Sequence, residues 1–377
     1  MTETEPDSRA LALLAAYERA GYARTMPALL QPAEPFLDLS GEDIRSRMFL
    51  TNDAQGRELC LRPDFTIAVS CDYLASTAAG EAAGFSYLGS VYRQGAHGPS
   101  AMLQAGVESF GRTDTAAADA EMLSLGLEAA AEYGVRAPEI RMGDVGLFVA
   151  LIDGLDLAPA WKRRLIKDFN RAGRLERDLD LLSVKAGAAR ADYEGVLAAL
   201  VGSDPKAARA LVTDLLSIAG ITAVGGRSIA EIAERFLEQS ALGARSALPR
   251  EARDVIERFL SIAGDPDKAA NELRAFATSG QPALSAALDL FESRTGFLAA
   301  RGVDVSRIRF ATRFFIGLDY YTGFEFRLHD ADGRLDTPLV AGGRYDKLLS
   351  RLGSATPIPA VGFGVWIERL AACGALS

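Results

Sequence analysis

Residues 85–111 read FSYLGSVYRQGAHGPSAMLQAGVESFG. Two runs of strand-forming residues flank a short turn segment, and side chains on a strand alternate between its faces. On the second run the alternation sets Gln104, Gly106 and Glu108 on one face. That is a hollow between an amide and a carboxylate, where a missing side chain lets a ligand lie against the backbone. On the first run it aligns Tyr87, Gly89, Val91 and Arg93. FIGLDYYTGFEF (315–326), read as a strand, aligns Asp319, Tyr321, Gly323 and Glu325. Three strands that each offer glycine beside polar side chains predict a ligand site built on a sheet.

Working outward, strand-like runs recur at MFLTND, ELCLRPD and EIRMGDVGLF (139–148), after an N-terminal helix over 8–22 and a Pro-punctuated turn region over 27–35. GRTDTAAADAEMLSLGLEAAAEYG predicts a helix with Asp114 as N-cap, running through Glu132 and ended by Gly134. From 155 to 302 apolar residues recur every three or four positions, broken by SDPK, ITAVGGRS, SALPRE and AGDPDK, so helices are expected throughout. LSIAG occurs at 216–220 and again at 260–264, which is too little to make a repeat array. Strands return after 303 with RIRFATRFF, YYTGFEFRLHD and a segment ending AVGFGVWIERLAACG. Mixed sheet, helical block, mixed sheet predicts an α+β fold: an antiparallel sheet flanked by helices, its chain split into 1–154 and 303–377 by an all-helical insertion over 155–302.

Composition removes several function classes. The chain has 377 residues, 49% hydrophobic and 24% charged, with a net charge of −9. That suits a globular protein and argues against a nucleic-acid partner, because phosphate backbones are bound by clustered Lys and Arg. WKRRLIKDFNRAGRLERD (161–178) is a basic local exception along an expected helix, either a solvated face or a phosphate patch. Cys60, Cys71 and Cys373 form no CxxC and no even framework, as in a reducing compartment. With His97 and His329 as the only histidines, a His-ligated metal site or a Ser-His-Asp triad is close to excluded. No basic signal-type start and no run of ~20 apolar residues is present. The expectation is a cytoplasmic protein without metal or cofactor.

Other short segments add candidate ligand contacts. LRPDFT (61–66) sets Asp64 beside Thr66, acceptors suited to an ammonium group. AGGRYD (341–346) reads as a glycine turn that either delivers Arg344 and Tyr345 to a site or leaves a surface arginine. In GFGVWIERL (362–370) small residues precede Arg369 where a strand gives way to a helix.

In this order, LRPDFT, YLGSVYRQ with LQAGVESFG, GLDYYTG, AGGRYD and GFGVWIERL resemble the amino-acid-binding loop, motif 2, the two histidine-specific motifs and motif 3 of histidyl-tRNA synthetases. The resemblance covers about 1–150 and 303–377 and implies a class II aminoacyl-tRNA synthetase-like core with a histidine pocket. In it Asp64 and Thr66 accept from the α-ammonium with Gln104 close by, and Glu108 and Tyr321 hold the imidazole. Tyr345 lines the same end, while Arg93 meets carboxylate and α-phosphate and Arg369 the phosphates of ATP.

The departures imply a silent site. Ile316 stands where synthetases carry an arginine that stabilises developing charge, a loss worth several kcal/mol in the transition state. Gln94 replaces the glutamate after the motif 2 arginine, and no anticodon-binding domain is expected. This combination is similar to the regulatory subunits of ATP phosphoribosyltransferase, which bind histidine, do no chemistry, and assemble with the short-form catalytic subunit. A homodimer within a hetero-oligomer is then implied. The alternative is a truncated synthetase-like enzyme that still forms an aminoacyl-adenylate, and a further option is an RNA-binding relic using the 161–178 helix.

Overall fold

The two runs quoted above form strands of ten residues each, paired antiparallel from Ala83 opposite Phe110 to Tyr92 opposite Ala101. The computed structural model describes residues 5–40, 42–95, 101–169, 173–183, 250–277, 282–314 and 320–375. In chain order its strands are β1 (Ala23–Arg24), β2 (Leu30–Pro32), β3 (Leu50–Asn52), β4 (Glu58–Leu61), β5 (Ala83–Tyr92), β6 (Ala101–Phe110), β7 (Glu139–Asp144), β8 (Ala263–Gly264), β9 (Ile308–Ala311), β10 (Phe324–His329), β11 (Val340–Arg344) and β12 (Ala360–Trp366). Nine of them make one sheet in the order β1-β5-β6-β12-β11-β10-β7-β9-β8. From β5 to β7 every neighbour is antiparallel, while β1 joins β5 and β9 joins β7 in parallel. A separate sheet runs β2-β4-β3. The fold is α+β.

The chain forms two compact units, Met1–Gly154 with Arg258–Ser377, and Leu155–Glu257. An insertion ending at 302 was expected from periodicity. Instead the helices Pro266–Ala277 and Pro282–Ala300 belong to the first unit, the second of them packed on helices Thr115–Glu132 and Val145–Gly154. In the second unit the segment expected as one basic helix forms Pro159–Phe169 and Arg174–Ser183, with Gly173 at φ +71° before the second. The first of these buries Trp161, Leu165 and Phe169 at four-residue spacing and leaves Arg163 and Lys167 exposed. The helix expectations between 184 and 249, the first LSIAG copy among them, lie outside the described residues.

One face of the large sheet is covered by helices Ser8–Arg19 and Thr115–Glu132. The latter begins after Asp114 as expected, but the carboxylate of Asp114 is engaged by Arg112 at 2.6 Å instead of capping the helix. Gly134, at φ +87°, follows its end. Beneath it lies a buried ion cluster. Arg294 donates to Asp119 at 2.9 Å and to Asp144 at 2.8 Å, and Arg344 donates to Asp119 at 2.8 Å and Asp346 at 2.9 Å.

Arg344 is therefore neither a pocket residue nor a surface one, and AGGRYD is not a turn. Gly342 and Gly343 sit inside β11 because a Cβ there would come within 2.4 Å of Phe363 Cβ and 2.5 Å of Phe324 O respectively. Two further strand readings change. In 315–326 the strand begins only at Phe324, after a bend at 320–323, and 315–319 lies outside the described residues. Asp64 and Thr66 are not on a strand, since Thr66 opens the helix Thr66–Ala75. EIRMGDVGLF is strand only to Asp144, where the helix Val145–Gly154 begins.

Candidate functional site

The other face of the sheet holds the site, and its centre is Glu108 on β6, wholly buried. A carboxylate at that depth needs donors, and three hydroxyls supply them. Thr66 Oγ1 donates to Glu108 Oε1 at 2.8 Å, Tyr87 donates to the same oxygen at 3.3 Å, and Tyr345 donates to Oε2. No guanidinium or ammonium joins this ring among the hydrogen bonds of the described residues. Burial consequently pushes the Glu108 carboxyl up to about 8 despite those hydroxyls, with the nearby Asp64 charge adding to the rise.

Space for this carboxylate comes from the neighbouring strand. Gly362 on β12 stands opposite Glu108, and a Cβ there would lie 1.8 Å from Glu108 Oε2. Gly364 likewise makes room for the Gln104 amide, at 2.7 Å from its Nε2. The expected hollow at Gly106 is instead occupied, because the Tyr87 ring lies across it with its hydroxyl 2.4 Å from where a Cβ would stand. Tyr87 stacks on Phe65 at 4.3 Å between centroids, and Arg62 caps that stack at 3.9 Å from the Phe65 ring.

Asp64 precedes the helix that carries Thr66. Its Oδ1 accepts from Ile67 N at 3.2 Å, which terminates the helix much as a capping residue does, while Oδ2 is buried without a hydrogen-bond partner. Burial raises the Asp64 carboxyl, and the charges of Arg93 and Arg62 oppose the rise. Gln104 Oε1 is a second buried acceptor without a partner. Tyr320, Tyr321 and Tyr345 form an aromatic group with centroids 5.0 to 6.5 Å apart, and burial raises all three phenols.

Of the residues singled out in the sequence, Thr66, Glu108 and Tyr345 are joined by hydrogen bonds. The Asp64 charge acts on Glu108, and the Glu108 charge in turn raises the Tyr321 phenol. Gln104 shares its strand face two and four residues away from Gly106 and Glu108. Arg93 donates to Pro63 O at 2.8 Å, beside Asp64. Arg369 lies farther out, donating to Pro338 O at 2.7 Å over the Trp366 ring, and burial with the charges of Arg93 and Arg47 pulls it down to about 10. Ile316 lies outside the described residues. Tyr87, Tyr320 and Arg62 were not assigned to the site from sequence. For Tyr87 the signal was there, since it faces Gly106 in register. Among the described residues no cluster of three or more His, Cys, Asp or Glu could hold a metal ion.

The family model for histidyl-tRNA synthetase matches residues 7–225 and 207–370. ATP phosphoribosyltransferase regulatory subunits of Brucella ovis and Brucella canis are each 40% identical to the chain over 347 residues, covering 91% of this chain and 91% of theirs. The chain belongs to the ATP phosphoribosyltransferase regulatory subunits. Solved structures agree on the fold of this histidyl-tRNA synthetase-like family. An ATP phosphoribosyltransferase regulatory subunit/histidyl-tRNA synthetase from Bacillus halodurans has a TM-score of 0.67 at 22% identity, over 99% of this chain and 81% of that one. A histidine–tRNA ligase subunit from Alicyclobacillus acidocaldarius has a TM-score of 0.58 at 26% identity, over 100% and 96% of the two chains. In this chain the hydroxyl-ringed Glu108 carboxyl is a buried acceptor to which an N–H donor could bond.

Proposed function

We propose that this regulatory subunit binds histidine in the Glu108 pocket and passes that binding to a short-form ATP phosphoribosyltransferase catalytic subunit as activation and feedback inhibition. The observation that carries the reading is the pairing of a buried, hydroxyl-ringed carboxyl with two unpartnered buried acceptors, Asp64 Oδ2 and Gln104 Oε1. Buried acceptors without donors are rare, and each costs about 1–3 kcal/mol until a donor arrives. Histidine brings donors at both ends. Its imidazole suits Glu108 with Tyr321 and Tyr345 alongside, and its α-ammonium suits Asp64 and Gln104. Its carboxylate is assigned to Arg93, beside Asp64.

Thr66 takes a different part from the one its sequence position implied. Its hydroxyl is given to Glu108, so it orients the imidazole acceptor instead of meeting the ammonium. Feedback then follows from linkage: histidine inhibits by binding one state of the complex better, and a coupling of about 1–3 kcal/mol suffices. The subunit works as a homodimer within the hetero-oligomer and performs no aminoacylation chemistry.

The test is co-purification with a short-form catalytic subunit, followed by assay of the complex with and without histidine. A complex whose activity needs this chain and falls with histidine supports the reading. Histidine-dependent ATP–pyrophosphate exchange by the isolated chain would overturn it in favour of an adenylate-forming enzyme.

A further inference from the structure

We propose that the sheet face formed by β10, β7 and β9 carries a second ligand site, which takes a small phosphoryl-bearing anion. It is separated from the Glu108 strand by β12 and β11 in the sheet order, and it does not depend on the histidine reading. In register, Arg327 stands opposite Arg141, and Arg141 stands opposite Arg309. Three guanidinium side chains thus occupy one cross-strand row on one face. Like charges placed directly opposite on neighbouring strands repel, so such a row needs an anion.

The protein's own carboxylates only partly meet that need. Glu139 accepts from Arg141 at 2.7 Å and pairs with Arg309, and buried Glu325 lies next along β10 from Arg327. Asp265 is engaged at a helix start, accepting from Lys268 N at 2.9 Å. With Arg307 at the rim, three cations (Arg141, Arg307, Arg309) face two carboxylates (Glu139, Asp265) around the opening, an excess of one positive charge. His329, opposite Glu139 on the same face, reports the field: burial and the charges of Arg141 and Arg327 pull it down to about 4. Its Nε2 is buried without a hydrogen-bond partner.

A cavity of about 900 Å³ opens on this face, lined by Glu139, Arg141, Arg307, Arg309, Phe310 and Phe314 among others. That volume suits a metabolite. Arg141 and Arg309 are neighbours across about one strand spacing, ~4.8 Å, so their planar forks can each take oxygens of one tetrahedral phosphoryl group. The Glu139 carboxylate bridges the same two groups, Oε2 to Arg141 and Oε1 to Arg309, so the pair is spaced for one anion to span. Phe314, half-buried with Arg327 5.8 Å from its ring centroid, gives the rest of the ligand an apolar wall.

The test is calorimetry on the full chain with inorganic pyrophosphate and with adenosine 5′-monophosphate, using adenosine as the unphosphorylated control. Both phosphorylated probes are expected to bind with Kd at or below about 1 mM and adenosine not to bind. Arg309 is the safest position to vary because its side chain is 75% exposed. Arg309→Ser and Arg141→Gln are each expected to weaken the probes by roughly tenfold or more, as loss of a charged hydrogen bond does. Arg369→Gln is expected to leave them unchanged. Circular dichroism checks that each variant is folded, and if Arg141→Gln is not, Arg309→Ser decides. No binding at about 10 mM probe, equal binding of adenosine, insensitivity to Arg309→Ser, or a loss as large in Arg369→Gln would each overturn the proposal.

Discussion

Glu108 and Asp119 are both wholly buried carboxylates in one domain, yet the protein treats them oppositely. Asp119 is clamped by two guanidinium groups, Arg294 on one oxygen and Arg344 on the other. Glu108 receives only neutral hydroxyls, and burial pushes its carboxyl up to about 8. A paired charge in a dry interior is a strut, because removing one partner strands the other. A carboxyl kept near neutral by its surroundings can still exchange a proton or accept a new donor, and this is the behaviour of a binding group. The contrast separates structure from function more sharply than burial does.

Breaking the strut should give the largest effect. Asp119→Asn leaves Arg294 and Arg344 with one anionic partner fewer each and is expected to cost about 3–5 kcal/mol of stability. Chemical unfolding measures this. A loss below about 1 kcal/mol would mean that Asp144 and Asp346 already suffice for the two arginines.

Glu108→Gln is the matching experiment at the other carboxyl. The amide is nearly isosteric with a protonated carboxyl and can still accept from Thr66, so stability should change by no more than about 1 kcal/mol. Histidine affinity should fall by about 1.5–3 kcal/mol, roughly 10- to 150-fold, because the charge-assisted bond to the imidazole is lost. Calorimetry reads the affinity, and unchanged binding would place histidine elsewhere.

The same contrast sets a pH dependence. Free histidine titrates at its imidazole near ~6.5, and Glu108 at about 8. In the complex the two groups share one proton. Between those values the free partners also carry one proton, on Glu108, so affinity should be flat. Above about 8 Glu108 is ionised and binding must take up a proton; affinity should fall about tenfold per pH unit. Below ~6.5 both groups are protonated, binding must release one, and affinity should fall again. Calorimetry in two buffers of different ionisation heat counts the protons. A profile still flat at pH 9 would show that the Glu108 carboxyl does not titrate there.

Much of this was legible in the sequence, for reasons that differ by element. Alternation on β5 and β6 found Glu108, Gln104 and Gly106 because a pleat fixes which residues share a face. It did not reveal that Tyr87 fills the hollow at Gly106, since register between strands is a tertiary fact. The paired glycines of AGGRYD read as a turn because glycine usually marks one. Here they mark close packing against Phe363 and Phe324, which no single segment encodes. Periodicity found the helices between 266 and 300 but not their unit, because an apolar stripe says that a helix is covered and not by what. Arg344 was misjudged for the same reason, its partner Asp119 lying 225 residues away in the chain.

Tyr321→Phe tests the comparison at its finest grain. Tyr345 and Tyr87 give their hydroxyls to Glu108, whereas Tyr321 only feels that carboxyl's charge through space and packs its ring over Gly343. The ring therefore supports the fold, and the hydroxyl is the part that a ligand would use. Removing the hydroxyl should leave stability within about 1 kcal/mol and weaken histidine by about 0.5–1.5 kcal/mol, roughly 2- to 12-fold, as for one neutral hydrogen bond. Tyr345→Phe should behave differently, removing a donor from Glu108 and raising the carboxyl's pKa further, so that the fall in affinity at alkaline pH moves upward. If the two variants shift the pH profile alike, Tyr321 also donates to Glu108. The imidazole would then be held by the carboxyl alone.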